Sequence, residues 1–133
     1  MLQILVDADN VDPARTRALL AALDGIESDM VVAGHPRALA RVEWPEAATV
    51  VEAAGWQRAD LVLAEAYVPG EDPLVLVSGD GDFGLLVGRH GGPVLVVSDA
   101  ASYRLAGGQV TVVDPALDGV EPLRQWLGYV TRD

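Results

Sequence analysis

The sequence predicts an α/β fold, a three-layer α/β/α sandwich with a mainly parallel central sheet. Short apolar runs, such as Leu2 to Val6, have the length of strands and the composition of strands buried on both faces. Segments with helix start and stop signals lie between these runs. Strands that alternate with helices along a chain build a parallel sheet with right-handed crossovers and helices on both faces.

The first half of the chain supplies three strands and three helices. Asp12 can cap the first helix and Pro13 fits its first turn, while Asp24-Gly25 ends it. Pro69-Gly70 ends the third helix. We expect strands at Leu2 to Val6, Asp29 to Ala33 and Thr49 to Glu52, the last at an edge, and helices at Pro13 to about Leu23, Pro36 to Val42 and Arg58 to Val68.

The second half repeats the alternation. Pro73 to Val77 is the clearest strand in the chain, and Gly91-Gly92-Pro93 stops the helix that follows it. Further strands are expected at Val94 to Val97 and Gln109 to Val113, and helices at Asp82 to Arg89, Ala100 to Leu105 and Val120 to Tyr129. With no linker or repeat, residues 1–133 are expected to form one domain.

Composition restricts the function classes. The chain contains no cysteine, so disulfide frameworks and thiolate zinc sites are excluded. No apolar run reaches the length of a membrane span, and the first residues lack the basic region of a signal peptide. We therefore expect a cytoplasmic protein with no membrane partner.

The charge balance is strongly acidic, with a formal net charge of −11 and nine arginines but no lysine. Such a chain binds nucleic acid poorly by itself, because contacts to phosphate supply most non-specific affinity. The missing lysine and glycine motif exclude a P-loop NTPase. The missing lysine also argues against a haloacid-dehalogenase-type phosphatase, whose first motif Asp7-x-Asp9 superficially resembles.

Two acidic motifs follow apolar strands. Asp7 follows the first strand, and Asn10 can lie beside it to orient a phosphate, a water or the carboxylate itself. Asp80 and Asp82 follow the clearest strand, where two glycines permit a tight turn. Ligands of open α/β sheets bind outside the carboxyl ends of the strands, and carboxylates packed there need a cation such as Mg²⁺ between them. The motifs therefore indicate metal-dependent chemistry on a phosphate ester, although one of the two later aspartates can instead be only a helix cap.

Three further residues have two interpretations each. Ser78 can bond a carboxylate or phosphate, or simply end its strand. Asp60 either lies on a mainly apolar helix face, where it must be paired or bound to a cation, or occupies the first helical turn and only favours the helix dipole. Asp99 ends the strand at Val94 to Ser98, so it either reaches the same crevice or is a turn residue.

The chain resembles the NYN domains, a branch of the PIN-like nucleases, through three motifs in order. Val6-Asp7-Ala8-Asp9-Asn10 is similar to the family's Asp-x-x-Asn after the first strand. Arg58-Ala59-Asp60-Leu61 is similar to its segment of Lys-Gly followed by an aspartate and a hydrophobic residue, although arginine and alanine replace the first two positions. Ser78-Gly79-Asp80-Gly81-Asp82-Phe83 is similar to its Ser-Gly-Asp-x-Asp-Phe signature.

The resemblance implies a PIN-like fold and metal-dependent cleavage of RNA. Carried over by position, the catalytic and metal-binding set falls on Asp7, Asp60, Asp80 and Asp82, with Asp99 as a further acidic metal ligand. Asn10, Ser78 and Arg58 would contact substrate or orient ligands, and the cofactor would be Mg²⁺ or Mn²⁺. To hold RNA, so acidic a chain would need a protein partner with a basic surface or a local patch formed by Arg15, Arg17, Arg37 and Arg58.

Other function classes remain open. A catalytically weak or inactive PIN-like binding or regulatory module would use its negative field to attract a basic protein partner. A phosphatase or Toprim-like phosphotransfer domain is a weaker alternative, because Toprim domains need a glutamate where this chain has Asp7. The sequence leaves open a homodimer, the identity of the RNA, and whether cleavage is endonucleolytic or exonucleolytic.

Overall fold

A six-stranded sheet forms the middle of the molecule. The computed structural model describes residues 1–53, 58–79, 83–99 and 110–131. The strands, in chain order, are β1 (Leu2–Asp7), β2 (Ser28–Gly34), β3 (Thr49–Glu52), β4 (Leu74–Val77), β5 (Val94–Val97) and β6 (Val110–Val113). Their order across the sheet is β3-β2-β1-β4-β5-β6, and each neighbouring pair in the described chain runs parallel. The predicted α/β fold with a parallel central sheet is confirmed.

Helices cover both faces of this sheet. They are α1 (Pro13–Ala22), α2 (Pro36–Leu39), α3 (Ala59–Ala66), α4 (Gly84–Arg89), α5 (Pro115–Asp118) and α6 (Glu121–Val130), with a 3₁₀ turn at Ala8–Asn10. One apolar cluster joins Val6 and Val77 to Leu19 of α1 and Leu127 of α6. The other lies on the opposite face and contains buried residues of the sheet, of α3 and of α4: Leu5, Leu76, Leu63 and Val87. This arrangement is the predicted three-layer sandwich.

Local chemistry explains where the main helices begin and which faces they bury. The Asp12 carboxylate accepts a hydrogen bond from the backbone N–H of Ala14 at 2.7 Å, which caps α1 as predicted. In α6, Leu123 and Leu127 are one helical turn apart and both are buried against the sheet. None of the helices in the described ranges is long and apolar enough to cross a membrane.

Burial follows the position of each strand. All residues of β1, β4 and β5 are buried, because these strands have neighbours on both sides and helices above and below. β3 lies at one edge and is largely exposed, as the sequence predicts.

Several boundaries differ from the sequence-based expectation. α2 ends at Leu39, shorter than the expected Pro36 to Val42, and α3 ends at Ala66, before the predicted Val68. The 3₁₀ turn and the short α5, which Asp114 caps through a bond from the N–H of Ala116, were not predicted. The helix expected at Ala100 to Leu105 lies outside the described residues.

The order of the strands determines where a ligand can bind. From β1 the chain moves outward to β2 and β3, then returns to place β4 on the other side of β1. β1 and β4 are therefore the adjacent strands at which the direction of winding reverses. In open parallel sheets, the crevice beyond the carboxyl ends of such a pair is the usual ligand site.

Candidate functional site

Asp7 is the last residue of β1 and its side chain is completely buried. Side chains alternate along a strand, so Asp7 points to the same face as Leu5, the face covered by α3 and α4. Its Oδ2 accepts two hydrogen bonds, from Asn10 Nδ2 at 2.8 Å and from Ser78 Oγ at 2.9 Å. Of the roles considered for Asn10 and Ser78, these contacts match a bond to the Asp7 carboxylate, and their role in binding substrate stays a prediction.

The other carboxylate oxygen, Asp7 Oδ1, is also buried, and no group in the described part of the chain donates a hydrogen bond to it. Burial removes water from the carboxylate and raises the pKa of Asp7 above its ordinary value of 3.8. The hydrogen bonds from Asn10 and Ser78, and to a smaller extent the backbone N–H of Asp9, lower the pKa of Asp7 but do not offset burial. An oxygen in this state is suited to hold either a proton or a cation.

A backbone contact between Gly79 and Asn10, here called the seam, joins the ends of β1 and β4. The backbone N–H of Gly79 donates to the carbonyl of Asn10 at 2.6 Å. A Cβ atom at position 79 would lie only 2.8 Å from that same carbonyl oxygen. Position 79 therefore requires glycine, because the two backbones approach each other closely there. The seam fixes the position of Asn10 and so supports the hydrogen bond from Asn10 to Asp7.

An open cleft of about 280 Å³ lies at this edge of the sheet, beside the seam. Asn10, Gly79 and Asp99 line it, and Asp99 is exposed after the end of β5. Asp99 thus lies at the carboxyl edge of the sheet, in a cleft whose lining does not include Asp7, and its role as a metal ligand stays a prediction. The lining also contains Asp9, Asp12, Ser98 and Arg15.

Arg15 contributes a fixed positive charge to this acidic cleft. Its Nε and Nη2 donate to the two carboxylate oxygens of Asp114 at 2.9 and 3.1 Å. The pair raises the pKa of Arg15 and lowers the pKa of Asp114, in each case chiefly through the hydrogen bonds between them. Sequence reasoning did not find this pair, because its members are 99 positions apart and share no motif.

Asp60 lies in the first turn of α3, which packs over β1 and β2 on the face that Asp7 enters. Its Oδ2 is 3.0 Å from Arg58 Nη2, and its Oδ1 accepts a hydrogen bond from the N–H of Leu61. Asp60 therefore occupies the first helical turn and its carboxylate pairs with the Arg58 guanidinium, while its role as a metal ligand stays a prediction. Arg58, expected to contact substrate, is here the partner of a carboxylate.

Asp80 and Asp82, on which the prediction of a metal site depends most, lie outside the described residues. The flanking residues are placed: Gly79 at the seam, and Phe83 buried in the cluster beneath α3. Within the described ranges, no three His, Asp or Glu side chains gather closely enough to hold a metal ion. Asp7, Asp60 and Asp99 therefore do not form a complete metal site by themselves.

The four arginines considered as an RNA-binding patch have different surroundings. Arg15 pairs with Asp114 and Arg58 with Asp60. Arg17 Nη2 donates to the carbonyl of Arg41 at 2.6 Å, and Arg37 lines a groove together with Arg41. The grouping around α2 thus includes Arg41, which sequence reasoning missed.

Comparison with known proteins assigns the chain to no family. No protein-family model matches it, and no curated protein sequence is significantly similar to it. The resemblance to NYN domains therefore rests on the three motifs alone.

Proposed function

We propose that this protein is a metal-dependent ribonuclease of the PIN-like type, which hydrolyses RNA phosphodiester bonds at the crevice between the ends of β1 and β4. The observation that supports this most is Asp7 Oδ1, a buried carboxylate oxygen with no donor in the described chain. It lies at the reversal of strand order, where open parallel sheets bind ligands.

The chemistry of this edge fits Mg²⁺ or Mn²⁺. Both are hard cations that take carboxylate oxygens as ligands, usually together with substrate phosphate. Asp7 would contribute Oδ1, and Asp80 and Asp82 follow directly after the seam at Gly79. Asp60 would become a further ligand of the ion only when its ion pair with Arg58 opens. Such an ion would supply Lewis-acid stabilisation of charge on the scissile phosphate.

The chain's own residues would prepare the reaction. Asn10 and Ser78 hold Oδ2 of Asp7, so that the carboxylate keeps one orientation. Asp99, exposed in the cleft, can take the proton of a water that attacks phosphorus while the P–O bond to the leaving nucleotide breaks. Arg15 is the positive charge nearest to that carboxylate in the cleft lining and would attract the substrate phosphate.

The test is cleavage of single-stranded RNA by the purified protein in the presence of Mn²⁺, with EDTA as the negative condition. Asp80→Asn should abolish cleavage. Asp24→Asn is the matched control, because Asp24 is exposed in the turn after α1, at the opposite edge of the sheet. Full metal-dependent cleavage by purified Asp80→Asn would show that the carboxylate cluster is not the active site.

The net charge of −11 favours a second candidate, a regulatory module that binds a basic protein. In that case Asp7 would serve only to join Asn10 to Ser78, with a proton on Oδ1 in place of a cation. The two candidates differ in metal affinity: a ribonuclease site should bind Mn²⁺ and gain thermal stability from it, and a vestigial site should not.

A further inference from the structure

A second, positively charged groove lies on the same edge of the sheet, beyond the ends of β1 and β2. It encloses about 480 Å³ and is lined by residues that include Ala8, His35, Arg37 and Arg41. We infer that this groove binds the backbone phosphates of single-stranded RNA next to the crevice at Asp7. The inference rests on the proposed function for the choice of RNA as the ligand.

The first argument is the position of the groove. Ala8 follows Asp7 directly, and His35 follows the last residue of β2. The backbone N–H of His35 donates to Asp9 Oδ1 at 2.8 Å, and a Cβ on Gly34 would lie 2.9 Å from the Cβ of Ala8. The groove is thus built on the residues that follow Asp7. It shares Asp9 with the cleft beside the seam, so an RNA strand lying in that cleft can continue into the groove.

The second argument is charge. In the described chain, the guanidinium groups of Arg37 and Arg41 form no ion pair, although the sequence has 20 acidic residues. Arg17, whose Nη2 binds the carbonyl of Arg41, adds a third guanidinium beside them. Asp9 is the one carboxylate among the described lining residues, and the N–H of His35 already occupies one of its oxygens.

The third argument is the hydrogen-bonding state of His35. Its Nδ1 accepts a hydrogen bond from the backbone N–H of Arg37 at 3.2 Å. An imidazole whose Nδ1 accepts a hydrogen bond carries a proton on Nε2, so His35 adds an N–H donor to the residues that line the groove. Two guanidinium groups and an imidazole N–H are donors suited to phosphodiester oxygens, since charge-assisted bonds to phosphate are among the stronger hydrogen bonds.

The test is binding of a fluorescein-labelled single-stranded RNA, measured by anisotropy in EDTA over a series of salt concentrations. The double variant Arg37→Gln/Arg41→Gln should bind about tenfold more weakly or worse, as expected when charged hydrogen bonds are lost. The slope of log K against log salt should become smaller by about 1.4, since each phosphate contact to a single strand contributes roughly 0.7. Arg89→Gln removes an exposed arginine at the end of α4, toward the amino edge of the sheet, and should bind within about twofold of the wild type by the same counterion argument.

Equal affinity of the double variant and Arg89→Gln would overturn the inference, as would no RNA binding by the wild type at the lowest salt. An acidic peptide that binds more tightly than RNA, and whose binding is lost in the double variant, would assign the groove to a protein partner and also overturn it. Both arginines are exposed, so the variants should fold, and their melting temperatures check this. Because cleavage plays no part in this assay, RNA bound through the groove but never cleaved would contradict the proposed function alone.

Discussion

Replacement of Gly79 by alanine tests the seam between β1 and β4. The new Cβ would lie 2.8 Å from the carbonyl oxygen of Asn10, a distance that real Cβ atoms essentially never show. The obstacle is backbone, which cannot rotate away as a side chain can, so the two strand ends must separate. Overpacking of this kind costs about 1–3 kcal/mol, and weakening of the 2.6 Å hydrogen bond from Gly79 N–H to Asn10 adds about 1 kcal/mol.

The expected loss is therefore about 2–4 kcal/mol, which corresponds to a fall in melting temperature of roughly 8–16 °C for a chain of this length. Gly91→Ala is the matched control, because the Cβ would lie 3.0 Å from the carbonyl of Gly70, to which Gly91 also donates. Gly91→Ala should destabilise the protein less than Gly79→Ala does and should leave Mn²⁺ binding intact, whereas Gly79→Ala should weaken Mn²⁺ binding. Urea and thermal unfolding measure the loss of stability. A Gly79→Ala protein as stable as the wild type would show that the close contact between Gly79 and Asn10 does not hold the ends of β1 and β4 together.

Three other outcomes follow from the described contacts. Gly88→Ala should raise the unfolding free energy by about 0.5–1 kcal/mol, because Gly88 lies within α4 with nothing within 4 Å of the new Cβ; an unchanged or lower urea midpoint would contradict this. The hydrogen bond from Arg15 lowers the pKa of Asp114, so the contribution of Asp114 to stability is present above pH 3.8 and is lost as the pH falls through its folded-state pKa. An NMR titration of Arg15→Ala should show the pKa of Asp114 rise toward 3.8, and no rise would disprove the pairing. Burial raises the pKa of Asp7, so without divalent metal its contribution to stability has the opposite sign. The contribution is present below pH 3.8 and is lost as the pH rises through the folded-state pKa, at up to about 1.4 kcal/mol per pH unit. Asp7→Asn should remove that slope when chemical unfolding is measured at several pH values.

The fold was largely predictable because its signals are local. The buried runs that became β1, β4 and β5, and the Asp12-Pro13 start of α1, depend on neighbours in the sequence. The order of the strands was not predicted, since it depends on contacts between distant segments. That order is nevertheless what makes the ends of β1 and β4 adjacent.

The candidate site was predictable only in part. The contacts of Asn10 and Ser78 with Asp7 match one of the alternatives that the motifs left open. Arg58 and Asp60 pair with each other, since an arginine two residues before a first-turn aspartate can reach its carboxylate. The sequence did not predict this pair, and the roles of both residues at a site stay predictions. The groove at Arg37 and Arg41 could not be found from spacing, because it forms only when the residues after β1 and β2 meet.

The most direct test of the central claim is thermal unfolding of the wild type and of Asp7→Asn, with and without Mn²⁺. A divalent ion held by the carboxylates at the β1–β4 crevice should stabilise the wild type by about 2.7 kcal/mol when Mn²⁺ is present at 100 times its dissociation constant. Asp7→Asn lacks the carboxylate oxygen that would bind the ion and should gain little. No stabilisation of the wild type by millimolar Mn²⁺, or equal stabilisation of both proteins, would contradict a metal site at Asp7.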